Sequence, residues 1–176
     1  FPGTLVVKRA GGLYNGDRAK WTSANITVHK SATLRLNVGG PGEFTGAQIS
    51  ALLANLTTGV NRNGLMGGSV VCLDTSNAKE PVTVSANISD SKGPGGGAFL
   101  LKKCGDGTLQ LSGNNTYTGQ TILECGALSV ATINSVVKGT PHSSLGAPKD
   151  IEAGEIIIGK DREDGECALM YTGAGE

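Results

Sequence analysis

The stretch "GTLQLSGNNTYTGQTILECGALSV", residues 107–130, contains one short strand pattern twice. The segment GTLQL at 107–111 returns as GALSV at 126–130, with a polar passage rich in Asn, Thr and Gly between the two copies. The interval is shorter than the roughly 30 residues of a βαβ unit. It suits one coil of a β-solenoid, in which successive coils stack and their inward Leu and Val side chains form ladders.

Short strand-and-turn patterns continue through most of the chain. In the segment 32–38, ATLRLNV, alternation places Leu34, Leu36 and Val38 on one face. The sequence therefore predicts an all-β fold. A β-solenoid is favoured because the strands are repeated, and a β-sandwich is the alternative because regularly spaced short strands fit both. The predicted strands are residues 4–9, 25–29, 32–38, 69–73, 81–88, 98–102, 107–111, 126–130, 155–158 and 167–171.

One segment departs from the strand pattern. Thr45 and Gln48 have the spacing of a capping box, which marks the start of a helix. The apolar residues that follow fall at i, i+3, i+4 and i+7, as on the buried face of an amphipathic helix. These features predict one short α-helix at 46–56, packed against the core and inserted in the otherwise all-β chain, with the buried residues Ile49, Leu52, Leu53 and Leu56.

The composition excludes some classes of function. The 176 residues include 15 Lys plus Arg and 15 Asp plus Glu, so the formal net charge is zero and nucleic acid is not an expected partner. No apolar run is long enough to cross a membrane, so no membrane insertion by this segment is expected. The length suits a single domain, and we expect one solenoid segment over 1–176.

Residues 103–130, KCGDGTLQLSGNNTYTGQTILECGALSV, resemble the autotransporter-associated β-strand repeat, written K-x-G-x-G-T-L-x-L-S-G-x-N-T-Y-T-G-x-T-x-V-x-x-G-x-L-x-V. The segments GEFTGAQISALLA, VVCLDTSNA and SSLGAPKDIEAGEIIIGK also resemble long repeat units of giant bacterial surface proteins in that group. The repeat-core residues carried by this chain are Gly107, Leu109, Leu111, Gly113, Asn115, Tyr117, Gly119, Gly126, Leu128 and Val130.

The resemblance implies a right-handed parallel β-helix passenger, exported across the outer membrane and displayed on or shed from a bacterial cell surface. It implies one unit of a longer repeat array, in which 103–130 is the most typical repeat, and a non-catalytic structural or adhesive role. The expected partners are neighbouring repeats or other copies at the solenoid ends, and host or matrix glycans or proteins. An extracellular filament assembled by end-to-end stacking and a carbohydrate-active β-helix enzyme are the alternatives.

Four cysteines are the main departure from that family, whose passengers are usually poor in cysteine. Cys72, Cys104, Cys125 and Cys167 allow two disulfides or four free thiols. Cys104 and Cys125 both precede matching strands, and equivalent positions in stacked coils lie about 4.8 Å apart. We therefore predict a Cys104–Cys125 disulfide between neighbouring coils, with Cys72 and Cys167 paired with each other or with adjoining subunits or repeats.

No catalytic, cofactor or metal residues are predicted. His29 and His142 do not lie near a nucleophile-elbow pattern, and with the cysteines they give no zinc-ligand spacing. The acidic run DREDGE, 161–166, lacks EF-hand spacing and is predicted to be a solvated hairpin tip, with weak Ca²⁺ binding as the alternative. Trp21 and Tyr14 are the candidates for exposed aromatic platforms near one end.

Overall fold

The computed structural model describes residues 3–133, 143–159 and 166–173. Within these ranges the helices are α1 (Gly46–Leu56) and α2 (Ile151–Gly154), and neither is long and apolar enough to span a bilayer. Three 3₁₀ turns lie at Ala10–Gly12, Tyr14–Gly16 and Arg18–Lys20. The strands are β1 (Thr4–Val7), β2 (Thr27–Val28), β3 (Thr33–Asn37), β4 (Gly64–Leu65), β5 (Val70–Asp74), β6 (Val82–Val84), β7 (Leu100–Cys104), β8 (Thr108–Leu111), β9 (Thr121–Leu123), β10 (Gly126–Val130), β11 (Ile156–Ile158) and β12 (Cys167–Tyr171).

The strands form three sheets, and every pairing between these strands is parallel. The first sheet has the order β1-β3-β5-β7-β9-β11, and the second sheet has the order β12-β10-β8-β6. A third, two-stranded sheet pairs β2 with β4. From β5 onward the chain alternates between the first and second sheets, so each circuit adds one strand to both.

The two copies of the repeated strand are direct neighbours. Leu109 of β8 pairs with Leu128 of β10, and Leu111 pairs with Val130. The prediction of an all-β chain is confirmed at the level of class, with parallel strands and few helices. The arrangement is consistent with the predicted parallel β-helix, whereas a β-sandwich is built from antiparallel neighbours.

The core lies between the sheets and is lined by alternate residues of their strands. Leu34, Leu36 and Val38 are buried, as their alternation predicts. The circuits that follow place Val71, Leu73 and Leu101 at equivalent positions, which gives the ladders expected of stacked circuits. Two tilted aromatic pairs, Trp21 with Phe44 and Phe99 with Tyr117, have ring centroids 5.4 Å and 5.5 Å apart.

The predicted helix is confirmed as α1, with the predicted bounds. Thr45 Oγ1 accepts a hydrogen bond from Gln48 N at 3.2 Å, and Gln48 Oε1 accepts one from Thr45 N at 2.8 Å, so the capping box forms. All four predicted apolar residues are buried. The helix contacts both β4 and β6, and its apolar face contributes to the same core as the strands.

Helix α1 also covers the edge of the second sheet at β6. Ser50 Oγ accepts hydrogen bonds from the backbone N–H groups of Ser85 and Ala86, at 3.1 Å and 3.3 Å. Gly46 lies so close to the Thr83 carbonyl oxygen that a Cβ would collide with it. An exposed strand edge is able to pair with another chain. Helix α1 covers the β6 edge, so this edge of the second sheet is not open to such pairing.

Candidate functional site

The repeat-core residues have two kinds of role in the stack. Leu109, Leu111, Leu128 and Val130 fill the core, where each is at most 1% exposed. The glycines mark close approaches between circuits. A Cβ at Gly113 would collide with the Ala86 carbonyl oxygen, one at Gly119 with that of Phe99 and one at Gly107 with that of Thr75. Gly126 has a φ of +69° beside the Gly105 carbonyl, a conformation that favours glycine.

Asn115 joins three successive corners of the stack. Its Oδ1 accepts a hydrogen bond from Ile88 N at 2.8 Å, and its Nδ2 donates to the Ser144 carbonyl at 2.7 Å. Its own backbone N–H donates to the Ser143 carbonyl at 2.9 Å. Because the side chain is fully buried, the two backbone groups that it pairs have been removed from water.

Tyr117 anchors the same corner with an aromatic ring and one polar atom. Its hydroxyl shares a hydrogen bond of 2.7 Å with Thr121 Oγ1, and its ring packs against Phe99 on the preceding circuit. Burial raises the pKa of Tyr117 well above its ordinary value, although the hydrogen bond to Thr121 acts in the opposite direction. The phenol is therefore neutral at physiological pH and serves packing.

Lys103 is a buried cation held by backbone oxygens. Its Nζ donates to the carbonyls of Cys104, Gly105 and Cys125, at 3.1 Å, 2.6 Å and 2.9 Å, and so joins the turns after β7 and β9. Burial lowers the pKa of Lys103, and its attraction to neighbouring groups, Cys125 first, acts against that shift. The side chain is 1% exposed, so its role is to hold two turns together from the inside.

The opposite face of the first sheet carries three diagonal links between neighbouring strands. In each link, the side chain of one residue contacts a residue on the next strand that lies two positions after its own register partner. Arg35 on β3 pairs with Asp74 on β5, and Lys102 on β7 pairs with Glu124 after β9. Between these two ion pairs, the disulfide Cys72–Cys104 joins β5 to β7, with a Cα–Cα distance of 6.3 Å. The three links therefore tie four consecutive strands together.

The predicted Cys104–Cys125 disulfide is wrong in this structure, because Cys104 is bonded to Cys72. Lys103 pairs with Leu123 across β7 and β9, and Glu124 N donates to the Lys103 carbonyl. Glu124 therefore lies across from Cys104, and Cys125 comes one residue after the position opposite Cys104. A one-residue offset turns a side chain to the other face of a strand, so the two sulfurs do not meet.

Cys125 and Cys167 are free thiols. Cys125 is buried, and Cys167 is half-buried with its Sγ donating to the Glu124 carbonyl at 3.0 Å. The expected pairing of Cys72 with Cys167 is therefore also absent, because Cys72 is already bonded. Cys167 opens β12 opposite Gly126, on the last circuit that the structure describes.

One group of side chains has the spacing of metal ligands. Cys72, Cys104 and Glu124 place one potential ligand atom each within 4.8 Å of one another. The thiolate is the form of cysteine that binds metals, and the disulfide occupies both sulfurs. Lys102 occupies the Glu124 carboxylate as its ion-pair partner. The group is therefore a structural link in the oxidised protein.

Asp74 makes the stability of the stack depend on pH. Burial raises its pKa, but hydrogen bonds from Ser76 and Arg35 outweigh burial and hold the pKa below the ordinary value of 3.8. As pH falls below about 4, the unfolded chain binds this proton before the folded one does. The contribution of Asp74 to stability is thus present above that pH and is lost as pH falls through the lowered pKa.

We expect Asp74→Asn to lower the free energy of unfolding at pH 7 by about 1–3 kcal/mol, because it weakens a charged hydrogen-bond acceptor. Urea unfolding at pH 7 and pH 3 measures the effect, and the variant should lose less stability between these pH values than the wild type. Glu80→Gln, at an exposed carboxylate, is the control and should retain the wild-type dependence. An unchanged dependence in Asp74→Asn would contradict the assignment.

Among the described residues, the other candidates singled out from the sequence do not assemble into a site. Trp21 is only 2% exposed and donates from Nε1 to the Leu13 carbonyl at 3.0 Å, so the prediction of an exposed platform is wrong there. Tyr14 is 40% exposed, with its hydroxyl bonded to the Asn25 carbonyl. His29 is exposed. His142 and residues 161–165 of the acidic run lie outside the described residues.

The diagonal links and the buried role of Lys103 were not predicted from the sequence. A signal existed for the links, because Arg35, Cys72 and Lys102 each occupy an outward position in an alternating strand. Their partners depend on the register between strands, which is a property of the whole stack. For Lys103, alternation places a lysine on the core face, which is itself the signal of a buried charge that needs partners.

Parallel strand pairing and the repeat-core residues occur together in the stretch 107–130. Residues 101–130 match the model of the Passenger-associated-transport-repeat family, so the resemblance predicted for residues 103–130 is confirmed. The chain is 39% identical over 182 residues to the "Adhesin BmaC autotransporter" of Brucella suis biovar 1 (strain 1330). The alignment covers 99% of this chain, which spans about 5% of the length of that relative. No solved structure matches the chain significantly.

Proposed function

We propose that the chain is an adhesive, non-catalytic segment of an autotransporter passenger, exposed outside a bacterial cell. The observation that carries the proposal is the 39% identity to an autotransporter adhesin in an alignment that covers 99% of the chain. The Cys72–Cys104 disulfide supports an extracellular setting, because disulfides persist in oxidising compartments.

The architecture proposed is a right-handed parallel β-helix. Its support is the parallel pairing of successive strands in both sheets together with the alternation of the chain between them. Parallel strands joined by a crossover are right-handed in about 98% of cases, and this preference supports the proposed right-handed coil. A stack of this kind provides reach and a long lateral surface, and both properties suit an adhesin.

The last described circuit has features that suit stacking on a further circuit. Strands β11 and β12 each pair with one neighbour among the described residues. Ile158 on β11 and Met170 on β12 are 49% and 39% exposed, although both lie in strands of the stack. At the other end of the first sheet, Leu5 of β1 is 56% exposed. Further repeats of the same protein are the proposed neighbours, and end-to-end association of separate chains is the second candidate.

A bead assay tests the adhesive role. Beads coated with the purified, oxidised chain are expected to attach to cultured epithelial cells or to deposited extracellular matrix more than albumin-coated beads do. Attachment no greater than that of the albumin beads would overturn the adhesive proposal for this segment. A screen for cleavage of polysaccharides is expected to show no activity, and sustained turnover would instead support the enzyme alternative.

Sedimentation velocity over a range of concentrations tests the stacking of separate chains. If the exposed end mediates association, the wild-type chain forms larger species and Ile158→Lys with Met170→Lys weakens them by about tenfold or more in dissociation constant. Val60→Lys, at a residue 63% exposed in a loop away from the stack end, introduces one lysine as a control and should behave as the wild type. A wild-type chain that stays monomeric at high concentration argues against the filament.

A further inference from the structure

A polar groove lies where the chain leaves the first three strands of the first sheet. It is an open groove with a volume of about 600 Å³, and segments from three successive circuits line it. A volume of this size falls within the range of ligand sites in proteins. Its lining residues are Lys8, Arg9, Asn37, Pro41, Glu43, Ser76, Asn77, Ala78 and Lys79.

The floor of the groove is built by a tight contact between two loops. Glu43 Oε2 accepts a hydrogen bond from Gly40 N at 2.9 Å, and its Oε1 accepts from the Nδ2 atoms of Asn77 and Asn37, at 2.7 Å and 3.3 Å. A Cβ at Gly40 would collide with the side chain of Asn77, so the two loops approach as closely as glycine permits. The single carboxylate of the lining is therefore already satisfied by three N–H donors.

Three cations surround this floor and outnumber its single carboxylate. Lys8, Arg9 and Lys79 are exposed, and none of them forms an ion pair within the described part of the chain. The lining thus contains three positive side chains and one carboxylate. Because the net charge of the whole chain is zero, the positive potential is a local property of the groove.

The neutral polar atoms of the lining indicate which groups, besides negative charges, a ligand of this groove would present. Asn37 and Asn77 donate from Nδ2 to Glu43, which leaves their Oδ1 atoms as acceptors without a partner among the described residues. Ser76 Oγ donates to Asp74 and keeps its acceptor lone pairs. Pro41 and Ala78 are the apolar residues of the lining, and two small residues are too few to form the side-chain pockets of a peptide. Cations beside acceptors for hydroxyl groups fit a negatively charged, hydroxyl-rich molecule.

We infer that this groove binds an acidic polysaccharide, with Lys8, Arg9 and Lys79 facing its carboxylate or sulfate groups and Asn37 and Asn77 accepting from its hydroxyls. The inference rests on the proposed adhesive function and names the class of surface molecule that the segment contacts. Carboxylate and sulfate groups present the same chemistry to these cations, so the experiment separates the two.

Binding is measured with immobilised heparin, hyaluronan, neutral dextran and poly-glutamate. The wild-type chain should bind heparin, hyaluronan or both, more tightly than it binds dextran and poly-glutamate, and raised salt should weaken the binding because exposed charges are screened. Binding of heparin alone assigns sulfate as the recognised group, and binding of hyaluronan assigns carboxylate. Equal binding of dextran, or tighter binding of poly-glutamate, overturns the inference.

Two triple variants, one in the groove and one outside it, each remove three positive charges and so locate the binding site. Lys8→Gln, Arg9→Gln and Lys79→Gln combined should weaken binding by roughly tenfold or more. The control combines Arg18→Gln, Arg62→Gln and Lys92→Gln, at exposed cations outside the groove, and should stay within about twofold of the wild type. Thermal unfolding confirms that both variants fold, since all six residues are exposed. Equal losses in the two variants overturn the assignment to the groove.

The bead assay separates this inference from the function on which it rests. If wild-type beads attach to cells but no acidic polysaccharide binds, the groove assignment fails and the adhesive role stands. If wild-type beads do not attach although the groove binds heparin or hyaluronan, the adhesive role fails and the groove assignment stands.

Discussion

Replacing Cys72 and Cys104 together with serine is expected to lower the free energy of unfolding by about 3–4 kcal/mol. The disulfide closes a loop with a sequence separation of 32 residues, and a loop of that length restricts the unfolded chain by this amount in the chain-entropy model. The loop includes β6 and most of the circuit between β5 and β7. The loss should therefore appear as cooperative destabilisation of the stack.

Urea unfolding of the oxidised chain, the reduced chain and the double variant measures this effect. The reduced wild type and the variant should have similar stabilities, both below that of the oxidised wild type. Cys167→Ser makes the same chemical change at a free, half-buried cysteine and should cost about 1 kcal/mol or less. If reductant leaves the wild-type stability unchanged, the disulfide is absent from the protein in solution.

Peptide mapping without reduction checks the connectivity itself. We expect one linked pair of peptides, containing Cys72 and Cys104, and two alkylatable thiols at Cys125 and Cys167 once the chain is unfolded. A linked pair containing Cys104 and Cys125 would restore the pairing predicted from the sequence and would contradict the register between β7 and β9.

Local features of the fold could be predicted from the sequence because each depends on residues close together in the chain. Helix α1 has its capping box and its apolar stripe within a dozen positions, and the structure gives it the predicted bounds. The pairing of β8 with β10 follows from the likeness of their sequences, since like strands occupy like positions in successive circuits.

The disulfide could not be predicted because it depends on register between segments that are not alike. Cys104 and Cys125 both stand before a glycine, and that likeness suggests equivalence. The turn after β7 contains one residue more than the turn after β9, since Lys103 pairs with Leu123 whereas Thr108 pairs with Ala127. This offset is a property of the folded turns, and it changes which face each cysteine occupies.

The groove could not be predicted from the sequence, for a related reason. Lys8, Asn37 and Lys79 come from three circuits and are far apart in the sequence, although each lies near the end of a strand of the first sheet. A net charge of zero gives no indication of a local excess of cations. Parallel stacking brings these strand ends to one edge, and only the register and the two loop conformations determine that the charges meet.

Asn115→Leu is expected to lower the free energy of unfolding by about 2–6 kcal/mol. Leucine has the same number of side-chain heavy atoms and the same branching as asparagine, although its methyl groups are larger, so the change removes the hydrogen bonds while keeping the side-chain shape. The Ile88 N–H and the Ser144 carbonyl lose their partners at a fully buried position. Each buried backbone group left unpaired costs about 1–3 kcal/mol, and the two costs fall on neighbouring corners of the same stack.

Asn114→Leu is the matched control, because it makes the same replacement one position earlier at an exposed side chain. It should change stability by no more than about 0.5 kcal/mol. Urea unfolding compares the two variants, and hydrogen exchange reports the Ile88 amide, whose protection should fall in Asn115→Leu and persist in Asn114→Leu. If the two variants are equally stable, the side chain of Asn115 does not join the corners. If Asn115→Leu is destabilised while the Ile88 amide stays protected relative to its neighbours, the loss arises from packing at position 115. Loss of both stability and local protection would show that the buried side-chain amide of Asn115 holds neighbouring corners of three circuits together.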